Sequence, residues 1–275
     1  MKQFIILIKI DLVGFQEVFF HFCFYFWGEK MFSQKYKLIH LDSTGSTNLH
    51  ASDLLSGKQI SGSTVVIADY QTNGKGQGSN KWESGHSQNL LFSLVIFPVK
   101  IKAKEQFYIS KIAAISIREM LSAHISHVKI KWPNDILVNK LKISGILIEN
   151  ILKSDEIITS IIGIGINVNQ SEFSIPATSF KNEKGAEYDR MNLLNSYLDT
   201  FHYWLEILLS RDFAQIDLEY YKNLFGFQEW LKFSWGGVEF EAFIEGVETD
   251  GYLVLKTRDG KILKFGFREV DFLLN

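Results

Sequence analysis

The sequence contains a single cysteine, Cys23, among its 275 residues. One cysteine excludes an internal disulfide and a zinc site built from several thiolates, and this usage is typical of a reducing compartment. The sequence also lacks an excess of charge, since 29 Lys and Arg residues stand against 31 Asp and Glu residues. Such a balance does not fit a general nucleic-acid-binding surface. We therefore predict a cytoplasmic protein in which any basic residues important for function are confined to a local site.

A secretory signal and a membrane-spanning run are both missing from the N-terminal region. The Phe-rich segment VFFHFCFYFW, residues 18–27, is far shorter than the roughly 20 apolar residues that a helix needs to cross a bilayer. Lys9, Asp11 and Glu17 interrupt the apolar run, and no small-residue cleavage pattern follows. We predict that residues 1–30 are a non-native or disordered extension, that the folded protein begins at Met31, and that no membrane is bound; a membrane anchor is the alternative interpretation.

Strand-like and helix-like segments alternate after Met31. Hydrophobic residues make up 46% of the chain, which is enough for a sizeable core. Apolar runs such as STVVIADY and EIITSIIGIGINVN predict strands, and KEQFYISKIAAISIREMLSAHI has the length and periodicity of a helix. An apolar stripe that includes Leu194, Leu198 and Leu205 predicts a second long helix from about Asp189 to Leu209. We predict an α+β catalytic domain over residues 31–228. Short strands separated by Asp250-Gly251 and Asp259-Gly260 then predict a small β-barrel over residues 229–275.

The segment ADYQTNGKGQGSNKW, residues 68–82, places a glycine-rich loop directly after a predicted strand. Residues without a Cβ let backbone N–H groups approach an anion closely, and Lys75 adds a positive charge beside them. Trp82 could stack on an adenine at the end of the loop, or it could belong to the core. A plain turn would also explain the glycines, because the segment lacks the acidic residue and helix of a dinucleotide fingerprint.

The segment KWPNDI, residues 131–136, ends another predicted strand. Since side chains alternate along a strand, Lys129 and Lys131 are predicted to point away from the apolar face. Asn134 and Asp135 follow Pro133 at the strand end, where a carboxylate could hold Mg²⁺. A solvated strand followed by a polar turn is the alternative interpretation.

Three further segments have an ordinary structural explanation beside a functional one. KISGILIEN brings Lys142 and Gly145 to the start of a strand, and GIGINVN ends an apolar run with glycines and asparagines, which simple sheet packing would also explain. STGSTN, residues 43–48, could cap the helix that follows. A helix N-terminus also attracts a carboxylate, so capping and ligand binding are compatible.

The order of these segments resembles that of the biotin protein ligase family. STN, ADYQ with the glycine loop and Trp82, KWPND, KISGIL, GIGIN and a small β-barrel follow one another over about residues 36–275. The resemblance implies a mixed sheet flanked by helices, akin to class II aminoacyl-tRNA synthetases, and an SH3-like barrel. It implies an enzyme that uses ATP and Mg²⁺ to form biotinyl-AMP and transfers biotin to a lysine of a biotin carboxyl carrier domain.

The resemblance also assigns residues. Lys131 and Lys75 would be catalytic, and Asp135 would bind Mg²⁺. The predicted nucleotide-binding residues are Lys75, Gln77, Trp82, Asn134, Lys142 and Asn167. The predicted biotin-binding residues are Ser46, Thr47, Asn48, Gln71, Gly74, Lys75, Gly76, Gln77, Lys131 and Gly145.

Two departures from the family pattern concern charge. The family loop usually reads GRGR-x-G before its tryptophan, whereas this sequence has lysine at position 75 and glutamine at position 77. Lysine keeps the charge without the planar fork of arginine, and glutamine carries no charge. A lipoate ligase of the same superfamily and a non-catalytic biotin or nucleotide binder are the alternatives. Because we find no helix-turn-helix segment, we expect no DNA binding, and a homodimer is possible.

Overall fold

The structure is a computed structural model that describes residues 36–78, 80–97, 99 and 101–274. Residues from Tyr36 onward form one compact unit. The prediction for residues 1–30, and the predicted start at Met31, lie outside the described residues. In the part of the chain that the structure covers, none of the helices is both long and apolar enough to cross a membrane.

A mixed sheet forms the larger part of the fold. Its neighbouring strands run in the order β1-β2-β3-β8-β7-β6-β5, and β4 pairs with β8. The β1–β2 pair is parallel, and the other pairs are antiparallel. The strands are β1 (Lys37–Thr44), β2 (Thr64–Gln71), β3 (Leu90–Ile96), β4 (Ile101–Lys102), β5 (Val128–Lys131), β6 (Asp135–Val138), β7 (Leu141–Lys153) and β8 (Glu156–Ile166).

The helices pack on this sheet. They are α1 (Thr47–Ser56), α2 (Phe107–Ser122), α3 (Phe180–Lys184), α4 (Arg190–Leu209) and α5 (Phe213–Asn223), with a short 3₁₀ turn at Ala103–Glu105. Helix α1 packs on β2, β3 and β8, whereas α2 packs on β5, β6 and β7 and is contacted by α4 and α5. Most side chains of α2 are buried, which agrees with an apolar helix enclosed on several sides.

A second, antiparallel sheet follows near the C-terminus. It comprises β9 (Trp230–Trp235), β10 (Val238–Val247), β11 (Leu253–Thr257), β12 (Ile262–Phe265) and β13 (Asp271–Phe272), in the order β12-β11-β10-β9-β13. Gly251 and Gly260 adopt positive φ angles of 105° and 83° in the two predicted hairpin turns. These left-handed conformations explain the Asp-Gly pairs, because glycine adopts them without a steric penalty.

The second sheet is fastened to the first part of the fold by hydrogen bonds. The buried indole of Trp132 donates to the carbonyl of Gly251 over 2.9 Å. The hydroxyl of Tyr221 in α5 donates to the carbonyl of Val247 at the end of β10, also over 2.9 Å. The tryptophan of the KWPND segment therefore links the two sheets directly.

The element predictions drawn from periodicity are confirmed for the strands and for the two long helices. Two helices were not predicted. Helix α3 is one turn long, and α5 buries only Ile216, Tyr220 and Asn223, so neither has the aliphatic stripe that marks α4. The N-cap of α5 was the available signal, since Asp212 accepts a hydrogen bond from the backbone of Gln215.

Candidate functional site

A cavity of about 500 Å³ opens at one edge of the mixed sheet and extends to the C-terminal sheet. It brings together segments as far apart in sequence as Ser46 and Phe272. The predicted site residues that line it are Ser46, Thr47, Asn48, Gln71, Lys75, Gly76, Gln77, Trp82, Lys131, Asn134, Asp135, Lys142 and Gly145. Gly74 and Asn167 are the two predicted residues outside the lining.

The STN segment enters the cavity at the N-terminus of α1. Ser46 occupies the N-cap position, but its side chain makes no capping hydrogen bond, so the capping interpretation is wrong for this hydroxyl. The amide of Thr47 donates to Oε1 of Gln71 over 2.7 Å, and the Thr47 hydroxyl reaches the same oxygen over 3.1 Å. These bonds fix the end of β2 against the helix and hold polar groups at the cavity wall.

Asn48 is buried and held on several sides. Its amide nitrogen donates to Oε2 of Glu149 over 2.8 Å, and its carbonyl oxygen accepts from the hydroxyl of Ser93 over 2.6 Å. A Cβ built on Gly163 would overlap the Asn48 amide, so the glycine provides the space that this side chain occupies. Sequence reasoning missed Ser93 and Glu149. The signal for Ser93 was a hydroxyl in the middle of the apolar strand LLFSLVI.

The glycine loop folds back on itself beside the cavity. The amide of Gly76 donates to the carbonyl of Asn80 over 2.8 Å, and the amide of Trp82 donates to the carbonyl of Gly74 over 3.0 Å. A Cβ on Gly74 would lie 2.6 Å from the carbonyl oxygen of Trp82. The absence of a side chain at position 74 is therefore explained by this turn. The loop was predicted to approach an anion through backbone N–H groups, but those of Gly76 and Trp82 are engaged within the loop. The side chains of Lys75 and Gln77 line the cavity.

The ring of Trp82 lies on the sheet rather than in the apolar core. A Cβ on Gly165 would overlap the ring, and one on Gly145 would lie 3.1 Å from it. The ammonium group of Lys142 is 5.7 Å from the ring centroid. The buried indole nitrogen of Trp82 has no hydrogen-bond partner within the described residues. A buried donor without an acceptor is uncommon, so this nitrogen is suited to a ligand atom.

Two lysines and one aspartate form a charged cluster at the cavity floor. Nζ of Lys142 is 2.6 Å from Oδ1 of Asp135, and Nζ of Lys131 is 4.0 Å from Oδ2. Only 21% of the Lys131 side chain is exposed. Burial lowers the pKa of Lys131 below its ordinary value, with a further lowering from Lys142, against opposing attraction from Asp135 and Asp271. Over the whole cavity lining, five Lys and Arg side chains stand against two Asp side chains, so the cavity attracts anions.

The surroundings of Asp135 do not fit a protein-built magnesium site. Its carboxylate is held by Lys142 and faces Lys131, so both oxygens already have cationic neighbours. Across the described residues there is no group of three His, Cys, Asp or Glu side chains placed to hold a metal ion. Magnesium commonly binds proteins through one or two carboxylates together with substrate phosphates. The role of Asp135 as a magnesium ligand stays a prediction, and no step is assigned to it.

Asn134 and Asn167 have different surroundings. Asn134 lines the cavity, and its amide nitrogen donates to the carbonyl of Ile146 over 2.7 Å. Asn167 is buried behind the cavity, where its amide nitrogen donates to the carbonyl of Thr178 over 3.0 Å. In the structure Asn167 thus fastens the end of β8 to the segment before α3, and its nucleotide-binding role stays a prediction.

The C-terminal sheet contributes cavity residues that sequence reasoning missed. Arg268, Val270, Asp271 and Phe272 all line the cavity. The Phe272 ring centroid lies 5.3 Å from the Lys131 ammonium group. No local pattern could reveal these contacts, because they depend on how the second sheet packs against the first.

A mixed α/β fold with a cationic cavity that also presents amide and hydroxyl groups defines a protein built to bind an anionic small molecule.

The model of the biotin/lipoate A/B protein ligase family matches residues 40–167. The bifunctional ligase/repressor BirA of Bacillus spizizenii is 31% identical over 230 residues, which cover 81% of this chain and 70% of that protein. The biotin--[acetyl-CoA-carboxylase] ligase of Paracoccus denitrificans is 26% identical, over 80% of this chain and 95% of that protein.

Solved structures agree with these relatives. The biotin protein ligase of Aquifex aeolicus in complex with biotin and ATP superposes with a TM-score of 0.69 at 27% identity. The match covers 86% of this chain and 98% of that chain. The chain belongs to the biotin protein ligase family and is a ligase.

Proposed function

We propose that this protein activates biotin with ATP and transfers it to a lysine of a biotin carboxyl carrier domain. The observation that carries the proposal is the convergence of Lys75, Lys131 and Lys142 on one cavity that also contains amide and hydroxyl groups. The relatives include a biotin--[acetyl-CoA-carboxylase] ligase and a ligase in complex with biotin and ATP, which supports the same reaction here.

The reaction has two balanced steps. In the first, an oxygen of the biotin carboxylate bonds to the α-phosphorus of ATP, and the bond to the leaving pyrophosphate breaks. In the second, the carrier lysine amine bonds to the biotin carbonyl carbon, loses a proton, and AMP leaves. Because two anions meet in the first step, fixed positive charges lower its barrier. Lys131, at the cavity floor, is the residue we assign to the carboxylate and the α-phosphate.

The remaining residues are assigned to biotin or to the nucleotide according to their surroundings. The amide and hydroxyl groups of Ser46, Thr47, Asn48 and Gln71 are assigned to the neutral part of biotin. Gly76 and Gly145 line the same cavity and keep their predicted biotin-binding role, whereas Gly74 contributes through the turn that shapes the loop. Trp82 and Lys142 are assigned to the nucleotide, supported by the unpartnered indole nitrogen. Lys75, Gln77, Asn134 and Asn167 keep their predicted roles. Magnesium would accompany the phosphates.

Several finer expectations belong to the same proposal. We propose that the mixed sheet is related to that of class II aminoacyl-tRNA synthetases and that the C-terminal sheet is an SH3-like barrel. The domain boundary at residues 228/229 is supported by the start of β9 at Trp230. Cytoplasmic localisation, the absence of DNA and membrane binding, and a possible homodimer stay predictions.

One assay tests the proposal directly. The protein is incubated with ATP, Mg²⁺, biotin and an apo carrier domain, and both pyrophosphate and carrier mass are measured. We expect biotin-dependent pyrophosphate release and a carrier heavier by one biotin. Lipoate in place of biotin distinguishes the related ligase activity. Binding of biotin or ATP without pyrophosphate release would identify a non-catalytic binder and refute the proposal.

A further inference from the structure

Arg268, in the turn between β12 and β13 of the C-terminal sheet, lies directly on the glycine loop. A Cβ built on Gly78 would overlap the Arg268 guanidinium group, so the glycine provides the space into which this side chain extends. Gly78 has a positive φ of 66°, and Arg268 itself has a φ of 69°. A non-glycine residue rarely adopts a positive φ. In Arg268 this conformation accompanies a side chain that extends to the distant glycine loop.

The same arginine lines the cavity, to which the loop contributes lysines but no arginine. The loop residues that share this lining include Lys75, Gln77 and Lys81. Gln77 is neutral, and an ammonium group contacts a phosphate as a point charge, whereas a guanidinium can bind two phosphate oxygens at once. Arg268 is the guanidinium that the structure, over the residues it describes, places within this cavity lining.

We propose that Arg268 is a nucleotide-binding residue that the C-terminal sheet contributes to the glycine loop, where its guanidinium binds the phosphates of ATP. The inference rests on the proposed function for the identity of the nucleotide. It assigns the second sheet a direct part in substrate binding. The competing explanation is that Arg268 only fastens the second sheet to the loop.

Binding measurements separate the two explanations. ATP and biotin are titrated separately into the wild-type protein and into Arg268→Gln by calorimetry, and the thermal unfolding midpoint is recorded for each protein. A charged hydrogen bond lost from a phosphate predicts about a 10- to 100-fold weaker ATP affinity in Arg268→Gln. Biotin affinity and the unfolding midpoint are expected to stay near the wild-type values, and Arg268→Lys is expected to recover part of the ATP affinity.

Arg258→Gln is the matched control. Arg258 also lies in a turn of the C-terminal sheet, directly after β11, pairs with Glu241 and lies outside the cavity lining, so its replacement is expected to leave ATP affinity unchanged. ATP affinity within about twofold of wild type in Arg268→Gln overturns the inference. Two other outcomes also overturn the inference in favour of a fastening role. One is an equal loss of ATP and biotin affinity in Arg268→Gln, and the other is a lowered thermal unfolding midpoint that Arg268→Lys does not restore. Because these titrations measure binding without turnover, a failure of the proposed ligase reaction would be seen in the ligase assay and not in the titrations.

Discussion

Lys131 combines three properties that a catalytic lysine needs. It lies at the end of β5, on the side of the strand opposite the buried Val128 and Ile130, and its ammonium group reaches the cavity floor. Sequence alternation alone predicted this direction, because side chains of a strand alternate between faces. Burial and the neighbouring Lys142 lower the pKa of Lys131, which no sequence pattern could show.

Replacing Lys131 with alanine is expected to slow adenylate formation by about 10²–10³-fold while the fold is retained. The loss follows from removing the fixed charge that offsets repulsion between the carboxylate and the α-phosphate. Biotin-dependent exchange of pyrophosphate into ATP measures this step. Lys129→Ala is the control, since Lys129 is on the same face of the same strand but is exposed and outside the cavity lining. Exchange within a few-fold of wild type in a folded Lys131→Ala protein would remove Lys131 from the mechanism.

The lowered pKa of Lys131 gives the reaction a specific pH dependence. The charged lysine is the active form, so kcat/KM for biotin is expected to fall as pH rises through the lowered pKa, before an ordinary lysine would deprotonate. Arginine stays charged throughout this range. Lys131→Arg should therefore have lower activity without that alkaline decline. Profiles measured from about pH 7 to about pH 10.5 test this, and an identical decline in both proteins would assign it to another group.

At the scale of the secondary-structure element, β8 separates the two halves of the site. Gly163 lies beneath the Asn48 amide, and Gly165 lies beneath the Trp82 ring. The two glycines are two residues apart, so they share one face of the strand. Sheet packing alone would not require glycine at both positions. The two glycines instead leave space for the Asn48 side chain, assigned to biotin, and for the Trp82 ring, assigned to the nucleotide.

Adding a methyl group at either glycine is expected to affect one substrate more than the other. Gly163→Ala should displace Asn48 and raise KM for biotin, whereas Gly165→Ala should displace Trp82 and raise KM for ATP. The steric overlap that each added methyl group creates is expected to cost about 1–3 kcal/mol of free energy. Steady-state kinetics with each substrate varied in turn provide the measurement. Gly62→Ala is the control, because a Cβ there would meet nothing within 4 Å. Equal effects of both variants on both substrates would contradict the division.

Local patterns predicted these elements well and the lining of the cavity only in part. Apolar runs placed β2, β7 and β8, and Asp-Gly pairs placed two hairpin turns, since each signal lies within a few residues. Ser93 and Glu149 were missed because their role is to hold Asn48 from other strands. Asn167 lies outside the lining, where its amide donates to the carbonyl of Thr178, a contact that depends on the later path of the chain, and its nucleotide contact stays a prediction.

At the scale of the whole molecule, the C-terminal sheet completes the cavity. Trp132 connects the KWPND segment to Gly251, while Phe272 and Asp271 lie near Lys131. The site therefore depends on packing between the two sheets. This arrangement surrounds a reactive mixed anhydride with groups from both sheets, which bears on whether the intermediate is retained until the carrier arrives.

We expect biotinyl-AMP to be retained despite the neutral Gln77. A glutamine amide can still donate a hydrogen bond worth about 0.5–1.5 kcal/mol net, and Lys75 and Lys142 supply charge around the same cavity. The enzyme is incubated with biotin, ATP, apo carrier and an excess of an unrelated lysine-rich protein, and biotin on each is counted by mass spectrometry. Labelling should be confined to the carrier, and Gln77→Arg should not change this. Comparable labelling of the bystander by wild type, suppressed by Gln77→Arg, would show that the missing loop charge lets the anhydride escape.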